Sequence, residues 1–376
     1  MSGQQTCRLE GKILSMASRE VLIKAVVQAI PTHTMSCFLL PKSLCDDLNS
    51  MVSKFWWGQK NDERKLAWMR WEKLCTLKAC GGMGFRDLRS FNLALLAKQG
   101  WRLRQQSNSL FYQVFKSKYF PYTSFIQAQQ GRNPSYVWRN ILAAQPIIKH
   151  GMRWQVGNGE NICIWKEKWI PNPSTYQVIS PRTLLPEDAT VNVLIDADHG
   201  TWRSDLVREL FLNFEADIIL SIPLSTCMPR DKLVWAATPN GKFTMKSAYW
   251  LALVMKRAEN ESTSGPSGQQ QLWRSIWSVD VPNKIKNFSW RACQNILPTK
   301  ANLFQRKVIS SEVCEHRDQG RETISHVLLH CVFAQSVWEA CGLVVDRNCT
   351  FEDMIWKCRN GSGPAIYELA HVMAIS

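Results

Sequence analysis

Residues 54–104 read KFWWGQKNDERKLAWMRWEKLCTLKACGGMGFRDLRSFNLALLAKQGWRLR. This stretch interleaves twelve Lys or Arg and five Trp with only four Asp or Glu. Its last part, residues 90–104, places Leu93, Leu96 and Leu103 on one face of a helix. The three glycines at 81, 82 and 84 predict a turn or a close backbone approach, because they lack the Lys-Ser/Thr of a phosphate-binding loop. The stretch therefore predicts a basic, helical module rich in flat aromatic rings.

Positive charge is concentrated in the first part of the chain. Residues 1–170 hold 25 Lys and Arg against 10 Asp and Glu, whereas residues 171–376 hold 21 of each. The first segment therefore carries the whole net charge of +15. A one-sided basic field favours polyanionic partners, so we expect RNA or DNA to be bound with weak sequence specificity. The alternative is a solvated basic face, with the 17 Trp used mainly as core.

Composition limits the class of protein. A chain of 376 residues with 45% hydrophobic and 20% charged residues is long enough for two or three folded domains. It contains no run of about eighteen apolar residues and no basic segment followed by an apolar one at the start, so neither a membrane span nor a secretion signal is predicted. Thirteen scattered Cys are typical of an intracellular, reducing compartment. The oligomeric state is left open.

Helical periodicity dominates the first 130 residues. Residues 18–30 predict an amphipathic helix in which Glu20 and Lys24 form an i,i+4 pair and Pro31 ends the helix. The apolar face predicted for this helix consists of Val21, Leu22, Ala25, Val26 and Ala29. A second helix follows Pro41. Its adjacent Asp46 and Asp47 have helical rather than hairpin spacing, so we do not expect them to hold catalytic metals.

The middle of the chain is predicted to contain two β-hairpins. The runs 153–156 and 162–165 flank Gly157-Asn158-Gly159, and the runs 233–235 and 242–245 flank Asn240-Gly241. Asn-Gly between alternating apolar runs is a strong hairpin signal. Between them, residues 202–220 predict helix, and another helix is expected to begin at Lys246.

The sequence predicts an α+β fold that is mainly helical. Residues 259–271, ENESTSGPSGQQQ, contain no apolar side chain and predict a linker. The predicted segments are 1–130, a basic helical module; 131–258, a hairpin-containing middle; 259–271, the linker; 272–345, a mainly helical module; and 346–376, a tail.

Histidine and cysteine side chains converge near the end of the chain. The spacing His326-x4-Cys331 allows both side chains to reach one zinc ion, and Cys314 with His316 could complete four ligands. His330 is a further candidate, since it would share a helix face with His326. A zinc site of this kind is expected to begin with two cysteines separated by two residues. Cys314 has no such partner, because position 317 is Arg. The alternative is that these side chains only fill the core.

Several runs resemble the C-terminal half of plant non-LTR (LINE-type) retroelement reverse transcriptases. Residues 19–42 resemble the thumb, and residues 55–58 (FWWG), 71–75 (WEKLC), 81–88 (GGMGFRDL) and 91–102 (FNLALLAKQGWR) are similar to the connecting region. The similarity continues through 154–159 (WQVGNG) and 246–249 (KSAY). Residues 273–338, with His326, Cys331 and Val337-Trp338, resemble the zinc-binding domain of reverse transcriptase.

The resemblance implies a module that touches nucleic acid. In that family the catalytic palm lies before the matching region, and a ribonuclease H domain follows it in some members, so we expect no autonomous catalysis from residues 1–376. An active polymerase whose palm is supplied elsewhere and an inert remnant are the alternatives. Trp68 and Trp71 are predicted stacking surfaces. The predicted phosphate contacts are Lys54, Lys60, Arg64, Lys65, Arg70, Lys73, Arg86 and Arg89.

Overall fold

A computed structural model describes residues 14–59, 65–105, 108–172, 175–182, 184–259, 270–316, 320–342 and 349–359. The fold is α+β and mainly helical, as predicted, with strands that are few and short among these residues. No described helix combines the length and the apolar character needed to cross a bilayer.

The chain divides into two compact units. The first comprises Met1–Thr32, Pro41–Arg89 and Ser262–Ser376, and the second comprises His33–Leu40 and Ser90–Glu261. The predicted segment 1–130 is thus shared between the units, because its first helices pack with residues far along the chain. Most of the predicted linker 259–271, and the predicted tail beyond Arg359, lie outside the described residues.

The first unit is built from helices that come from both ends of the chain. They are α1 Met16–Leu22, continued by a π-helical turn Ile23–Val27; α3 Lys42–Trp57; α4 Trp71–Leu74; a 3-10 turn Lys78–Cys80; α12 Gln270–Ser278; α13 Asn283–Cys293; α14 Lys300–Gln305; a π-helical turn His326–His330; α15 Val332–Ala340; and α16 Phe351–Arg359. Helix α12 packs on the 3-10 turn, and α13 packs on α1.

Tryptophan fills the core of the first unit. Trp56 and Trp290 are fully buried, and Trp273 is nearly so. In the whole chain, ten of the 17 Trp are buried. The glycine cluster is a close approach, as predicted: Gly81 has φ +83°, and a Cβ there would collide with Trp273. Its carbonyl oxygen accepts hydrogen bonds from Trp290 Nε1 at 2.8 Å and from Gln294 Nε2 at 2.7 Å. These bonds tie the two sequence-distant parts of the unit together.

The first helix buries a different face from the predicted one. Val21 and Val26 are 58% and 47% exposed, whereas Ile23 and Glu20 are buried. The predicted pairing of Glu20 with Lys24 is confirmed at 2.7 Å, and Lys78 Nζ approaches the same carboxylate oxygen at 2.6 Å. The prediction was wrong about the face because this buried ion cluster and the π-helical turn, rather than the valines, set the orientation of the helix.

The second unit contains the remaining helices and the strands. The helices are α2 Thr32–Cys37, α5 Leu88–Gln105, α6 Leu110–Tyr119, α7 Tyr136–Ala143, α8 Gln145–Gly151, a 3-10 turn Val191–Leu194, α9 Ser204–Leu210, α10 Asn213–Leu220 and α11 Met245–Glu259. Leu96 and Leu103 of α5 are fully buried, as its periodicity predicted.

Neither predicted hairpin forms, so both predictions are wrong. Strand β1, Met152–Gln155, pairs antiparallel with β4, Lys232–Trp235, while β2, Ile195–Asp196, pairs with β3, Thr201–Trp202. The run 162–165 enters the core instead, and residues 243–245 lead into α11.

One carboxylate explains why the first Asn-Gly turn does not close a hairpin. Asp231 Oδ1 accepts hydrogen bonds from the backbone N–H groups of Gly157 at 2.7 Å and Gly159 at 2.9 Å. Its Oδ2 accepts from the N–H of Asn161 at 3.0 Å. The loop therefore wraps around a side chain that immediately precedes β4, and this places β1 beside β4.

Candidate functional site

Three of the four predicted metal ligands converge in the first unit. One ligand atom each from Cys314, His326 and Cys331 lies within 4.8 Å of the others, and both cysteines are buried. The two Sγ atoms are 4.0 Å apart. Two thiolates on one tetrahedral zinc ion would be separated by about 3.8 Å, given Zn–S bonds of about 2.3 Å. The spacing therefore suits zinc.

A π-helical turn brings His326 and Cys331 together. The backbone N–H of Cys331 donates to the carbonyl oxygen of His326 at 2.7 Å, across five residues. An ordinary α-helix would direct these two side chains to different faces, since it has 3.6 residues per turn. At Cys331 the backbone becomes extended and a new helix, α15, begins, so the preceding helical turn ends at this ligand. A thiolate at a helix N-terminus is also stabilised by the helix dipole.

Cys314 is held by a short antiparallel pairing. Val313 bridges Arg321, the N–H of Cys314 donates to the carbonyl oxygen of Gly320 at 2.9 Å, and Arg321 Nε lies 2.7 Å from a carboxylate oxygen of Glu312. The intervening residues 317–319, which include Arg317, lie outside the described part of the chain.

The other two predicted histidines point elsewhere. His316 is exposed, and its ring stacks on Phe333 with centroids 5.6 Å apart, so the structure does not place it in the group of three. His330 Nε2 lies 3.0 Å from the carbonyl oxygen of Cys349 and is satisfied there. His316 as a fourth ligand stays a prediction that would require its side chain to leave Phe333.

The donor set fits a zinc ion on its own chemistry. His326 Nε2 is buried and has no hydrogen-bond partner among the described residues. Leaving such a nitrogen unpaired costs about 1–3 kcal/mol, which a metal bond would offset. Burial raises the pKa of the Cys314 thiol; the backbone N–H of His316 opposes this, and the neighbouring Cys331 adds to it. Protons therefore compete with zinc for this site, so its affinity should fall as the pH falls.

The predicted phosphate contacts belong to the first unit, but they differ in exposure. Lys54, Lys65, Arg70 and Lys73 are exposed, whereas Arg86 and Arg89 are half-buried. Lys60 and Arg64 lie outside the described residues. The structure brings two of the predicted cations, Arg70 and Lys73, to the rim of one cavity.

Of the two predicted stacking surfaces, Trp71 is corrected. It is 9% exposed, its ring stacks on Phe85 at 5.1 Å, and its Nε1 donates to Asn49 Oδ1 at 3.1 Å. A ring that is almost fully buried and stacked on Phe85 is not an open surface for a base. Trp68 is half-buried, and the guanidinium of Arg306 lies over its ring at 4.9 Å.

The cavity has a volume of about 380 Å³. Its walls come from residues 68–73 and from residues 294–306, within the first unit. The second wall, which includes Arg306, Gln294 and Asn302, was missed by sequence reasoning. Only the basic character of Arg306 could have pointed to it, because its contact with Trp68 spans 238 residues.

Comparisons with known proteins agree with the zinc-site geometry. The family described as zinc-binding in reverse transcriptase matches residues 243–338. The chain is similar to a protein of Arabidopsis thaliana named as a putative ribonuclease H protein, with 28% identity over 333 residues, covering 87% of this chain and 52% of the relative. The chain thus spans about half the length of that relative.

A second relative matches the chain over almost its own entire length. This uncharacterized mitochondrial protein of Arabidopsis thaliana is 41% identical over 143 residues, covering 38% of this chain and 93% of the relative. No solved structure matches the chain. The chain belongs to the family of plant retroelement reverse transcriptases and contains their zinc-binding domain.

Proposed function

We propose that the first unit binds RNA or DNA through its phosphates, with weak sequence specificity, and that the chain itself performs no catalysis. The observation that carries the proposal is the exposure of Lys54, Lys65, Arg70 and Lys73. None of these four side chains forms an ion pair with a carboxylate among the residues that the structure describes.

Unpaired cations of this kind suit a polyanion. An exposed ion pair contributes little, but a cation that replaces the condensed counterions of a nucleic acid gains the entropy of their release. Zinc at Cys314, His326 and Cys331 would brace the C-terminal part of the same unit, in which α12 packs on the 3-10 turn Lys78–Cys80 and α13 packs on α1. The thiol ligands also favour the reducing compartment that the cysteine content predicts.

Salt dependence tests the binding proposal. We expect the logarithm of the association constant for single-stranded RNA to fall against the logarithm of salt concentration with a slope of about −3, for four phosphate contacts. Fluorescence anisotropy between 50 and 300 mM salt would measure it. Changing all four residues to Gln should abolish the slope, and a slope near zero in the unaltered protein would contradict the proposal.

The absence of catalysis has its own test. Asp46 and Asp47 are exposed neighbours on α3, and consecutive side chains on a helix diverge by about 100°. They are therefore poorly placed to clamp two metal ions on one phosphate. Purified protein should give no product in primer extension or in cleavage of an RNA–DNA hybrid.

One observation favours a second candidate function, namely part of a larger enzyme. The chain matches about half of a relative whose name refers to ribonuclease H. If the palm or nuclease residues are supplied elsewhere, adding this chain to such an enzyme should increase product length or yield. If the chain neither binds nucleic acid nor stimulates such an enzyme, it is an inert remnant.

A further inference from the structure

The cavity in the first unit combines cations, an aromatic ring and amides. Arg70 and Lys73 contribute positive charge from one wall, and Trp68 contributes its ring. The opposite wall contributes the amides of Gln294 and Asn302. This is the mixture of groups that contacts phosphate, the face of a base and the edge of a base.

The walls are held in place by the protein's own hydrogen bonds. Arg306 donates to the carbonyl oxygens of Ala67 at 3.0 Å and Trp68 at 2.8 Å while its guanidinium covers the Trp68 ring. Asn302 Nδ2 donates to the carbonyl oxygens of Asn295 at 3.1 Å and Leu297 at 2.9 Å. A site preorganised in this way loses little conformational entropy when it binds.

Some polar groups of the cavity are left over after these bonds are made. The side chains of Arg70 and Lys73 have no hydrogen-bond partner within the described chain, and neither does the amide oxygen of Gln294. The cavity therefore offers free positive charge together with a free acceptor. A ligand that satisfies both carries a phosphate and an N–H or amino group, as a nucleotide does.

We propose that this cavity receives one unpaired nucleotide, whose base stacks on the Arg306–Trp68 pair and whose phosphate meets Arg70 and Lys73. The proposal rests on the nucleic-acid binding proposed above and adds a preference to it. A base in a duplex is covered on both faces and cannot enter a cavity, so unpaired or bulged nucleotides are favoured over continuous duplex.

The test compares three labelled 20-nucleotide RNAs, with their DNA equivalents, by fluorescence anisotropy. They are a single strand, a perfect duplex and the same duplex with one bulged nucleotide. We expect the bulged duplex to bind about tenfold more tightly than the perfect duplex, which is within the effect of stacking one base.

A variant that fills the cavity tests its role. Gln305 is exposed at the end of α14 and lines the cavity, so Gln305→Trp should remove the tenfold preference while affinity for the perfect duplex is kept. Phe304→Trp, at the adjacent exposed position outside the lining, is the matched control and should keep the preference. Gln305→Glu places a negative charge in the cavity lining without adding bulk, and it should also remove the preference.

The outcomes separate this inference from the proposed function. Equal, salt-dependent binding of bulged and perfect duplexes would overturn the cavity proposal and leave general nucleic-acid binding intact. No binding of any of the three RNAs or their DNA equivalents would overturn both. A preference that survives both changes at position 305 would also overturn the cavity as its source.

Discussion

Two clusters of polar groups, one in each unit, differ in whether the chain itself satisfies them. In the second unit, Asp231 accepts three backbone hydrogen bonds, so both oxygens of its carboxylate have partners within the chain. In the first unit, His326 Nε2 is buried without a described partner, and the thiols of Cys314 and Cys331 face each other at 4.0 Å. One cluster is complete as folded, and the other is arranged for a ligand that the chain does not supply.

This difference separates groups that build the fold from groups that bind. Buried polar atoms in folded proteins are almost always paired, so an unpaired one beside two thiols marks a metal site more strongly than the residue types alone. Arg70 and Lys73 are a different case, because they are exposed to water; no described carboxylate pairs with them, so their charges are available to a polyanion.

Removing zinc should have the largest effect. A chelator should destabilise the first unit by about 5 kcal/mol or more, since its fold would lose a structural metal, and the second unit should be unaffected. Differential scanning calorimetry with and without chelator would show one transition moving and the other remaining. Cys341→Ser, which changes an exposed thiol outside the group of three, should respond to the chelator as the unaltered protein does. An insensitive transition of the first unit would contradict the account.

Asp231→Ala should have the second-largest effect. We expect the free energy of unfolding of the second unit to fall by about 3 kcal/mol. The change leaves three backbone N–H groups of the 157–161 loop without their charged acceptor. Urea unfolding would measure it. Asp231→Asn, which keeps an acceptor oxygen, should cost about half as much. The exposed Asp198→Ala is the control, and equal losses in Asp231→Ala and Asp198→Ala would remove the structural role.

Glu20 sharpens the comparison, because it is a buried polar group of the first unit that is fully paired. Burial opposes its ionisation, but hydrogen bonds from Lys24 and Lys78 hold its pKa below the usual value. A lowered pKa stabilises the fold above the unfolded-state pKa, and the contribution is lost as the pH falls from about 4 through the folded-state value. Glu20→Gln should therefore cost about 1–2 kcal/mol at pH 7 and less at about pH 3, below the unfolded-state pKa, measured by urea unfolding. An equal cost at both pH values would refute this explanation.

Lys73→Gln should have the smallest effect and should act only on binding. We expect the salt slope for single-stranded RNA to decrease by about 0.7, because one phosphate contact is lost, with no change in stability. Lys284→Gln is a matched control on the first unit, since Lys284 lies about 15 Å from Gln294 along α13. Equal reductions for the two variants would mean that the charge acts without regard to position.

Patterns among neighbouring residues predicted the features that depend on neighbouring residues, such as helices and the spacing of metal ligands. The apolar period of residues 90–104 and the spacing His326-x4-Cys331 both led to features that the structure contains, namely the helix Leu88–Gln105 and the group of three metal ligands. The first predicted hairpin failed because Asp231, more than 70 residues from Gly157, binds the backbone of that turn and places β1 beside β4. In the candidate nucleic-acid site, the basic side chains could be predicted from the sequence. The burial of Trp71 and the contact of Arg306 with Trp68 could not, because both depend on packing between distant segments.

Zinc content tests the central claim most directly. Metal analysis of the purified protein should find one zinc ion per chain, and Cys331→Ser should lose it, while Cys341→Ser, which changes an exposed thiol outside the group of three, should keep it. Equal zinc content in the unaltered protein and in Cys331→Ser would contradict the assignment of Cys314, His326 and Cys331 as the metal centre.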